Sequence, residues 1–215
     1  MSGSRWGNLP IPPDPLHRSA GADERLQRWL RAVVETPGLT AIRDLEEARR
    51  RLLEDSLRGV EIVQQFEGAI VDVGSGGGIP GIPLAASLPE RQMTLLEATR
   101  KKAEFLERWA RVLPNLKVVW GRAEEQETDR FGVAVAKALA PPAVAMEWCL
   151  PLVAPGGAAI LWAAAADLDA LAEGAEQLGP GRPDWRGGLL VFRKLGPTPE
   201  GFPRRVGVAR KRPLA

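Results

Sequence analysis

The chain of 215 residues has no tyrosine, one histidine and one cysteine, so several kinds of catalysis lack their usual residues. The single cysteine, Cys149, excludes an internal disulfide and is typical of proteins in a reducing compartment. Its setting in the apolar stretch MEWCLPLV predicts a buried structural thiol. The single histidine, His17, lies in a proline-rich stretch, where we expect a surface position. No histidine is therefore placed to serve as a general base.

Long hydrophobic runs are also missing. No apolar stretch approaches the roughly 18 residues that a membrane span needs. The opening residues MSGSRWGNLPIPPDP contain no apolar signal core. We therefore expect a cytoplasmic protein without a membrane partner. Lysine and arginine together number 29 against 27 acidic residues, a balance that by itself excludes no class of partner.

The chain length and the hydrophobic content of 45% suggest one domain with a small appendage. Residues 1–22 predict an extended, proline-rich arm. Apolar residues spaced by three and four predict helices over residues 23–66, which we interpret as a small N-terminal helical cap. Residues 67–203 form the predicted main domain, and residues 204–215 a basic, irregular C-terminal tail.

The main domain alternates between two patterns. Short apolar runs of strand length are separated by stretches with helical periodicity; the runs are Ala69–Val73, Met93–Leu96, Val118–Trp120, Val133–Ala136, Ala158–Trp162 and Leu189–Leu195. This alternation predicts an α/β fold, in which helices on both faces of a sheet connect parallel strands.

A glycine-rich stretch, IVDVGSGGGIPGIP, contains the first of these runs and the turn after it. A strand, a glycine turn and a helix form the usual cradle for a nucleotide, because glycine lets backbone N–H groups approach a ligand closely. Gly74, Gly76 and Gly78 give G-x-G-x-G directly after the strand, which is the register we prefer. Gly76, Gly78 and Gly81 give the G-x-G-x-x-G of dinucleotide-binding proteins, which is a weak indication on its own.

Two acids flank this turn. Asp72 lies in the first strand near its end, where its carboxylate is placed either to organise the loop or to accept hydrogen bonds from a ligand amine. Glu97 ends the second strand, where an acid can accept hydrogen bonds from both hydroxyls of a ribose. The glycines and Glu97 together indicate a ribose-bearing ligand.

The residues DVGSGGGIPGIPLA resemble the first motif of the RsmG (GidB) family of 16S ribosomal RNA guanine-N7 methyltransferases. The sequence P-G-I-P after the glycines is unusual among methyltransferases, which makes the resemblance specific. Other segments are similar to further motifs of the same family: GLTAIRD, EDSL, LLEATRKKAEFLE, GRAEE and PRRVGVARKRPL. Together these segments extend over most of the chain.

The resemblance implies a Rossmann-like fold with a mostly parallel seven-stranded sheet and S-adenosylmethionine (SAM) as cofactor. The implied reaction is methyl transfer to N7 of a guanine in 16S ribosomal RNA or the small ribosomal subunit. The implied cofactor residues lie in the glycine loop and after the second and third strands: Asp72, Gly74, Gly76, Gly78, Ile79, Glu97, Ala98, Thr99, Ala123 and Glu124. We expect a monomer that uses no metal ion.

Two positions depart from the family pattern. The family usually has arginine at the end of the fourth strand, beside the methyl donor and the substrate, where this chain has Lys137. The resemblance therefore makes Lys137 the catalytic and cofactor-contacting candidate, although lysine lacks the planar guanidinium. The family often has histidine where this chain has Leu52. Both departures concern the RNA side of the site.

Basic residues in two clusters predict the RNA-binding surface, because positive charge binds phosphates. The first cluster opens the helix behind Glu97, with Arg100 and Lys101. The second cluster is the C-terminal tail, with Arg204, Arg205, Arg210, Lys211 and Arg212. Together they predict a basic face on a nearly neutral protein.

Guanine N7 carries an exposed lone pair, so its methylation needs no general base but does need alignment of nucleophile, methyl group and leaving sulfur. Methyltransferases that act on exocyclic amines carry an aromatic residue after a proline pair, and none follows Pro141 and Pro142 here. The apolar stripes that contain Trp29, Trp109 and Trp148 predict core positions for all three. Trp185 is the candidate for an exposed stacking residue.

Two other functions stay open at this point. A NAD-linked oxidoreductase would use the second glycine register, but the chain lacks a catalytic histidine, tyrosine or paired lysine for that chemistry. An RNA-binding or ribosome-assembly protein that has lost catalysis is compatible with the departures at Lys137 and Leu52.

Overall fold

The computed structural model of the protein describes residues 20–163 and 168–214. The predicted arm, residues 1–22, lies outside the described residues apart from its last three, and so does His17. Helices of the described part are α1 (Ala20–Glu35), α2 (Leu45–Ala48), α3 (Asp55–Leu57), α4 (Val60–Val63), α5 (Gly81–Ser87), α6 (Arg100–Ala110), α7 (Pro142–Cys149), α8 (Leu168–Glu176) and α9 (Val208–Lys211). None of these helices is long and apolar enough to cross a membrane.

A single sheet of seven strands forms the centre of the described structure. The strands are β1 (Ile70–Val73), β2 (Met93–Glu97), β3 (Leu116–Trp120), β4 (Phe131–Lys137), β5 (Val153–Trp162), β6 (Asp184–Arg186) and β7 (Leu189–Arg193). Their spatial order is β3-β2-β1-β4-β5-β7-β6. The first five strands are parallel, whereas β7 runs antiparallel to both β5 and β6. The predicted mostly parallel, Rossmann-like α/β fold is confirmed.

The central strand β1 lies between β2 and β4 and is buried along its whole length. Continuous burial is typical of a parallel strand that has helices on both faces. The chain continues from β1 to β2 on one side and reaches β4 on the other. This reversal of strand order opens a crevice at the carboxyl ends of β1 and β4, where α/β proteins bind ligands.

The strand β6 was not predicted from the sequence. Its residues Asp184–Arg186 are polar at two of three positions, and the strand pairs only with β7 at the edge of the sheet. Such a short edge strand buries too little surface to leave an apolar pattern. Its Trp185, the candidate for an exposed stacking residue, is partly buried and packs against the hydrophobic cluster of one sheet face.

Helix α1 packs its apolar stripe into the same hydrophobic core as the sheet. Leu26, Trp29, Leu30 and Val33 are all buried there. The Trp29 indole also donates a hydrogen bond of 2.8 Å to the carbonyl of Gly77. The N-terminal helices therefore contact the glycine loop directly.

A second helical segment runs from α2 through a π-helical stretch, Arg49–Glu54, into α3. The Asp44 side chain caps its start by accepting a 2.7 Å hydrogen bond from the Glu47 amide. Leu52, which replaces the family's histidine, is partly buried against the hydrophobic core. This position holds an apolar contact in the present chain.

The C-terminal segment is not the irregular tail that we expected. Its residues include the short helix α9, which packs on α7 and buries Ala209. Arg204 forms a bidentate ion pair with Glu147, a buried acid of α7. It also donates a 2.8 Å hydrogen bond to the carbonyl of Arg212. The basic composition of the segment does not indicate this packing, because the contacts that fix it come from residues distant in sequence.

We expect Arg204→Ala to lower the free energy of unfolding by about 2–4 kcal/mol, because it leaves the buried Glu147 carboxylate without its cation. Arg205→Ala is the matched control, since Arg205 is the exposed neighbour in sequence. Urea unfolding of both variants measures the difference. Equal stability of the two variants would show that the Arg204–Glu147 ion pair does not hold the C-terminal segment.

Candidate active site

Two adjacent cavities lie at the carboxyl edge of the sheet. The larger one, the donor cavity, has a volume of about 360 Å³ and lies beyond the ends of β1 and β2. Predicted cofactor residues that line it are Gly74, Glu97, Ala98, Thr99, Ala123 and Glu124. The smaller one, the acceptor pocket, has a volume of about 220 Å³ and lies beyond the ends of β4 and β5. Ala138 and Leu139 line both cavities.

The glycine loop begins where β1 ends and is fixed to the neighbouring strand. The amides of Gly74 and Ser75 both donate to the carbonyl of Leu96, at 2.8 and 3.1 Å. Gly74, Gly76 and Gly78 have positive φ angles of 70°, 57° and 90°, a region that other residues rarely adopt. The turn therefore requires glycine at these three alternate positions because of its backbone conformation.

Some of the loop glycines are also required by packing inside the protein. A Cβ atom on Gly78 would lie 2.4 Å from Cδ1 of Ile82, and one on Gly81 would lie 2.4 Å from Cδ2 of Leu95. A Cβ atom on Gly74 would lie 2.3 Å from Cδ1 of Leu139, at the donor cavity. We predicted that the glycines let a ligand approach the backbone closely. At Gly78 and Gly81 the groups that pack closely are instead the side chains of Ile82 and Leu95.

Three predicted cofactor residues of the glycine loop do not line the donor cavity as the described residues define it: Gly76, Gly78 and Ile79. Ile79 is partly buried against the core. A Cβ atom on Gly76 would meet nothing nearer than 3.8 Å, so only its positive φ restricts a substitution there. These residues shape the loop behind the cavity wall.

Glu97 joins the glycine loop to the end of β2. Its Oε2 accepts a 2.9 Å hydrogen bond from the Gly76 amide, and its Oε1 accepts a 2.7 Å hydrogen bond from the Thr99 amide. The residue is only 6% exposed, and it lines the donor cavity. Each carboxylate oxygen has two lone pairs, so both oxygens keep acceptor capacity for a ligand.

Asp72 organises the loop from inside the protein. It is fully buried, and its Oδ2 accepts a 3.0 Å hydrogen bond from the Gly81 amide at the start of α5. Its Oδ1 has no hydrogen-bond partner among the described residues, and Asp72 does not line the donor cavity. Burial raises the pKa of Asp72 to about 7, and the nearby Glu97 carboxylate adds to the rise. Of the two roles considered for Asp72, the geometry favours the loop-organising one.

The wall opposite Glu97 is built by residues distant in sequence. Ala123 and Glu124 lie in a 3₁₀ turn after β3, and Glu124 accepts a 3.4 Å hydrogen bond from the Gly207 amide. Trp148 of α7 and Arg210 of α9 complete this wall, with the Arg210 guanidinium 5.1 Å from the Trp148 ring centroid. The C-terminal segment thus forms part of the donor cavity.

The sequence did not indicate that two of these residues line the cavity. Trp148 is buried in the core, as predicted, and at 8% exposed it also lines the cavity; its indole nitrogen has no hydrogen-bond partner among the described residues. Arg210, which was predicted to bind RNA, is exposed and lines the cavity as well. Helix α7 is apolar on most sides, so its pattern does not mark the side that faces the cavity. The position of Leu139 was foreseeable, because the carboxyl ends of adjacent parallel strands meet at one edge of the sheet.

Lys137 ends β4 but does not line the donor cavity. Its ammonium lies 2.5 Å from Oδ2 of Asp55 and donates a 2.5 Å hydrogen bond to the carbonyl of Arg51. The other Asp55 oxygen pairs with Arg58 at 2.7 Å. Burial lowers the pKa of Lys137, and the Asp55 carboxylate offsets part of this effect. Burial opposes ionisation of Asp55, but Lys137 and Arg58 outweigh it and lower the Asp55 pKa.

The other residues predicted to bind RNA lie at the surface. Arg100, Lys101, Arg205, Lys211 and Arg212 are exposed. Arg100 pairs with Glu104 at 3.1 Å, and its guanidinium lies 5.3 Å from the ring centroid of Trp120, which is 59% exposed. Arg204 is the exception, because its guanidinium is committed to Glu147.

The described residues contain no group of three or more histidine, cysteine, aspartate or glutamate side chains that could hold a metal ion. Cys149 is fully buried, and burial raises the pKa of its thiol far above the usual value. The prediction of a structural cysteine is confirmed. A thiolate nucleophile is therefore not available in this site.

Comparison with known proteins identifies relatives over most of the chain. Residues 23–178 match the family model of GidB, described as rRNA small subunit methyltransferase G. The chain is 36% identical to the ribosomal RNA small subunit methyltransferase G of Moorella thermoacetica over 199 residues, which cover 82% of each chain. The protein of the same name from Gloeobacter violaceus is 33% identical and matches 99% of this chain and 92% of its own length.

Solved structures support the fold. A putative SAM-dependent methyltransferase from Methanococcus maripaludis matches 70% of this chain and 90% of its own, with a TM-score of 0.51 and 13% identity. A tRNA methyltransferase from Aquifex aeolicus matches 66% of this chain and 68% of its own, with a TM-score of 0.50 and 16% identity. At these identities the likeness concerns the fold alone.

We expect Asp72→Asn to change how stability depends on pH. The folded-state pKa of about 7 lies above the ordinary value of 3.8, so between these values the folded protein holds a proton that the unfolded chain has released. The contribution of Asp72 to stability therefore falls as the pH rises, by on the order of 1 kcal/mol per pH unit, and levels off above pH 7.

Urea unfolding of the wild type and of Asp72→Asn between pH 4 and pH 8 measures this effect. The stability of the variant relative to the wild type should increase with pH. Glu107→Gln, at an exposed position of α6, is the matched control for replacing one acid by its amide. A difference between Asp72→Asn and the wild type that is constant over this range would contradict the raised pKa.

Proposed function

The chain belongs to the rRNA small subunit methyltransferase G (GidB) family, and on that premise we propose that it methylates N7 of a guanine in 16S ribosomal RNA. The general activity is SAM-dependent methylation of small-subunit ribosomal RNA. The observation that carries the proposal is the position of Glu97. Its carboxylate is held by two backbone amides at the edge of a glycine-loop cavity, as a ribose-binding acid requires.

The donor cavity has the features that SAM needs. Its volume of about 360 Å³ falls within the range of small-ligand sites, roughly 300–1,000 Å³. It offers acceptor oxygens at Glu97 and a cation at Arg210. SAM carries polar and charged atoms along its whole length, so an acceptor and a cation around one cavity suit this ligand. When bound, SAM supplies a methyl group activated by a sulfonium.

We assign the ribose to Glu97, with Ala98 and Thr99 beside it. The adenine end lies toward Ala123 and Glu124, and the methionine end lies toward Gly74. Gly76, Gly78 and Ile79 act through the shape of the loop, since their atoms lie behind the cavity wall. Asp72 accepts a hydrogen bond from the Gly81 amide at the start of α5 and so fixes the position of the loop relative to that helix.

The chemistry at the acceptor needs little acid–base assistance. Guanine N7 has a free lone pair at neutral pH, and the Cys149 thiol and the buried Asp72 carboxyl lie outside both cavities. The protein therefore contributes alignment, which supplies roughly 7–11 kcal/mol of barrier reduction in well-oriented reactions. A shielded cavity also strengthens the interaction between fixed dipoles and the charge that moves during transfer.

Exposed cations supply the contact with RNA. Arg100, Lys101, Arg205, Lys211 and Arg212 extend into solvent. Cations of this kind bind phosphates without reading sequence, so affinity should fall steeply with added salt. We place the enzyme in the cytoplasm as a monomer that acts on 16S RNA or the assembled small subunit. The two alternatives, an oxidoreductase and a non-catalytic assembly protein, are not favoured by the family match.

Methyl transfer tests the proposal directly. Tritiated SAM is incubated with small ribosomal subunits from cells that lack this chain, and digested RNA is examined by mass spectrometry. We expect 7-methylguanosine in near-stoichiometric amount at one position. Glu97→Ala serves as the inactive control, because it removes the acceptor of the Gly76 and Thr99 amides. Methylation of another base or another atom would refute the N7 assignment.

Lys137 is proposed to act on the RNA side of the reaction. We expect Lys137→Ala to lower kcat at least tenfold while the Kd for SAM, measured by calorimetry, stays within about twofold. SAM affinity should change little because Lys137 does not line the donor cavity. Turnover should fall because Lys137 directly precedes Ala138 and Leu139, which line both cavities.

Arg58→Ala is the matched control for Lys137→Ala. It removes the other cation bound to Asp55 and leaves the Lys137 ammonium in place. A smaller loss of kcat in Arg58→Ala separates the role of the ammonium from that of the ion pair. Equal losses of kcat and SAM affinity in Lys137→Ala would instead place this lysine at the cofactor.

A further inference from the structure

The acceptor pocket lies where the carboxyl ends of β4 and β5 meet the start of α7. Lys137 and Trp162 end these strands as direct register partners. The residues that shape the pocket are apolar: five alanines, with larger side chains at Leu139, Pro142, Leu161 and Trp162. Neither the family match nor the relatives' names assign any ligand to this pocket.

The pocket adjoins the donor cavity. Ala138 and Leu139 form the partition, because both residues line both spaces. Leu139 also lies against Gly74, where a Cβ atom would approach it to 2.3 Å. A planar group in the pocket therefore lies next to the end of the donor cavity that Gly74 lines, with Ala138 and Leu139 at the boundary between the two spaces. Methyl transfer needs donor and acceptor sites side by side in this way, with the nucleophile reaching the methyl carbon at the boundary.

Trp162 is held in place by contacts from the N-terminal helices. Its indole nitrogen donates a 2.8 Å hydrogen bond to the carbonyl of Asp55. Its six-membered ring lies against Gly59, where a Cβ atom would come within 2.5 Å of the ring carbons. The absence of a side chain at Gly59 is thus required by the ring. A fixed aromatic ring at a pocket wall is a stacking partner that loses little entropy on binding.

The charge beside the pocket suits a guanine. Lys137 and Arg58 both pair with Asp55, so two cations share one anion. The excess positive charge favours the electron-rich edge of guanine, which carries O6 and N7 as acceptors. The volume of about 220 Å³ is below the range of sites for whole small ligands, roughly 300–1,000 Å³, and suits a single base.

We propose that the acceptor pocket receives the target guanine and that Trp162 is its stacking partner. This inference rests on the proposed function and extends it to the base-binding residues. The sequence shows no aromatic residue after Pro141 and Pro142, the place where methyltransferases that act on exocyclic amines carry one. The fold supplies the ring from the end of the adjacent strand instead, next to Pro142.

Kinetics with small ribosomal subunits test the role of Trp162. We expect Trp162→Leu to lower kcat/KM about tenfold to a hundredfold, as loss of one stacking contact does, with the SAM Kd within twofold of wild type. Trp162→Phe should recover most of the activity, because it restores a ring. Trp185→Leu is the control, since Trp185 lines neither cavity. Thermal unfolding of each variant identifies losses that come from misfolding.

A binding measurement separates this inference from the proposed function. Guanosine monophosphate should quench the tryptophan fluorescence of the wild type in the presence of S-adenosylhomocysteine, and it should quench Trp162→Phe much less. Unchanged quenching in Trp162→Phe, or unchanged kcat/KM in Trp162→Leu, would overturn the assignment of Trp162. If the wild type transfers no methyl group, the proposed function fails, and the quenching alone still decides whether the pocket binds guanine.

Discussion

Parallel pairing of β1 with β2 on one side and β4 on the other is the constraint on which the site depends. Because the three strands run in one direction, their carboxyl ends meet at one edge of the sheet. Gly74 at the end of β1, Glu97 at the end of β2 and Leu139 beyond the end of β4 thereby come together although they are far apart in sequence. The glycine turn follows from this pairing, since Gly74 and Ser75 bond back to the carbonyl of Leu96.

Some charged residues of this chain lie exposed at the surface, and others hold the fold together. Composition does not show which residues belong to which group. Within one basic segment, Arg204 neutralises a buried acid, Arg210 stacks on a tryptophan in a cavity wall, and Lys211 extends into solvent. The segment therefore holds α9 against α7 and completes the donor cavity, and its other cations stay exposed at the surface. A cation paired with a buried carboxylate is not free for a phosphate, because separating them would leave the acid desolvated and unpaired.

The replacement of the family's arginine by Lys137 has a local physical account. An ammonium acts as a compact charge, and here it fits between Asp55 and the carbonyl of Arg51. The guanidinium that lysine lacks is present close by, since Arg58 binds the other oxygen of Asp55. The N-terminal helices thus reach the end of β4, and they also fix Trp162 through a backbone carbonyl. The cap and the sheet form the acceptor side together.

Sequence by itself determined the α/β fold, the parallel strands, the glycine turn and the position of Glu97 at the end of the second strand. Strand periodicity and turn chemistry are local properties of the chain, so they can be read without the tertiary structure. Only the tertiary structure decided which glycines serve internal packing and that Asp72 faces inward. It also decided that Trp148 and Arg210 line the donor cavity and that Trp162 and Pro142 line the same pocket. The reason is physical. Contacts between segments distant in sequence decide which side of a uniformly apolar helix faces a cavity. They also decide which residues lie next to the end of a strand.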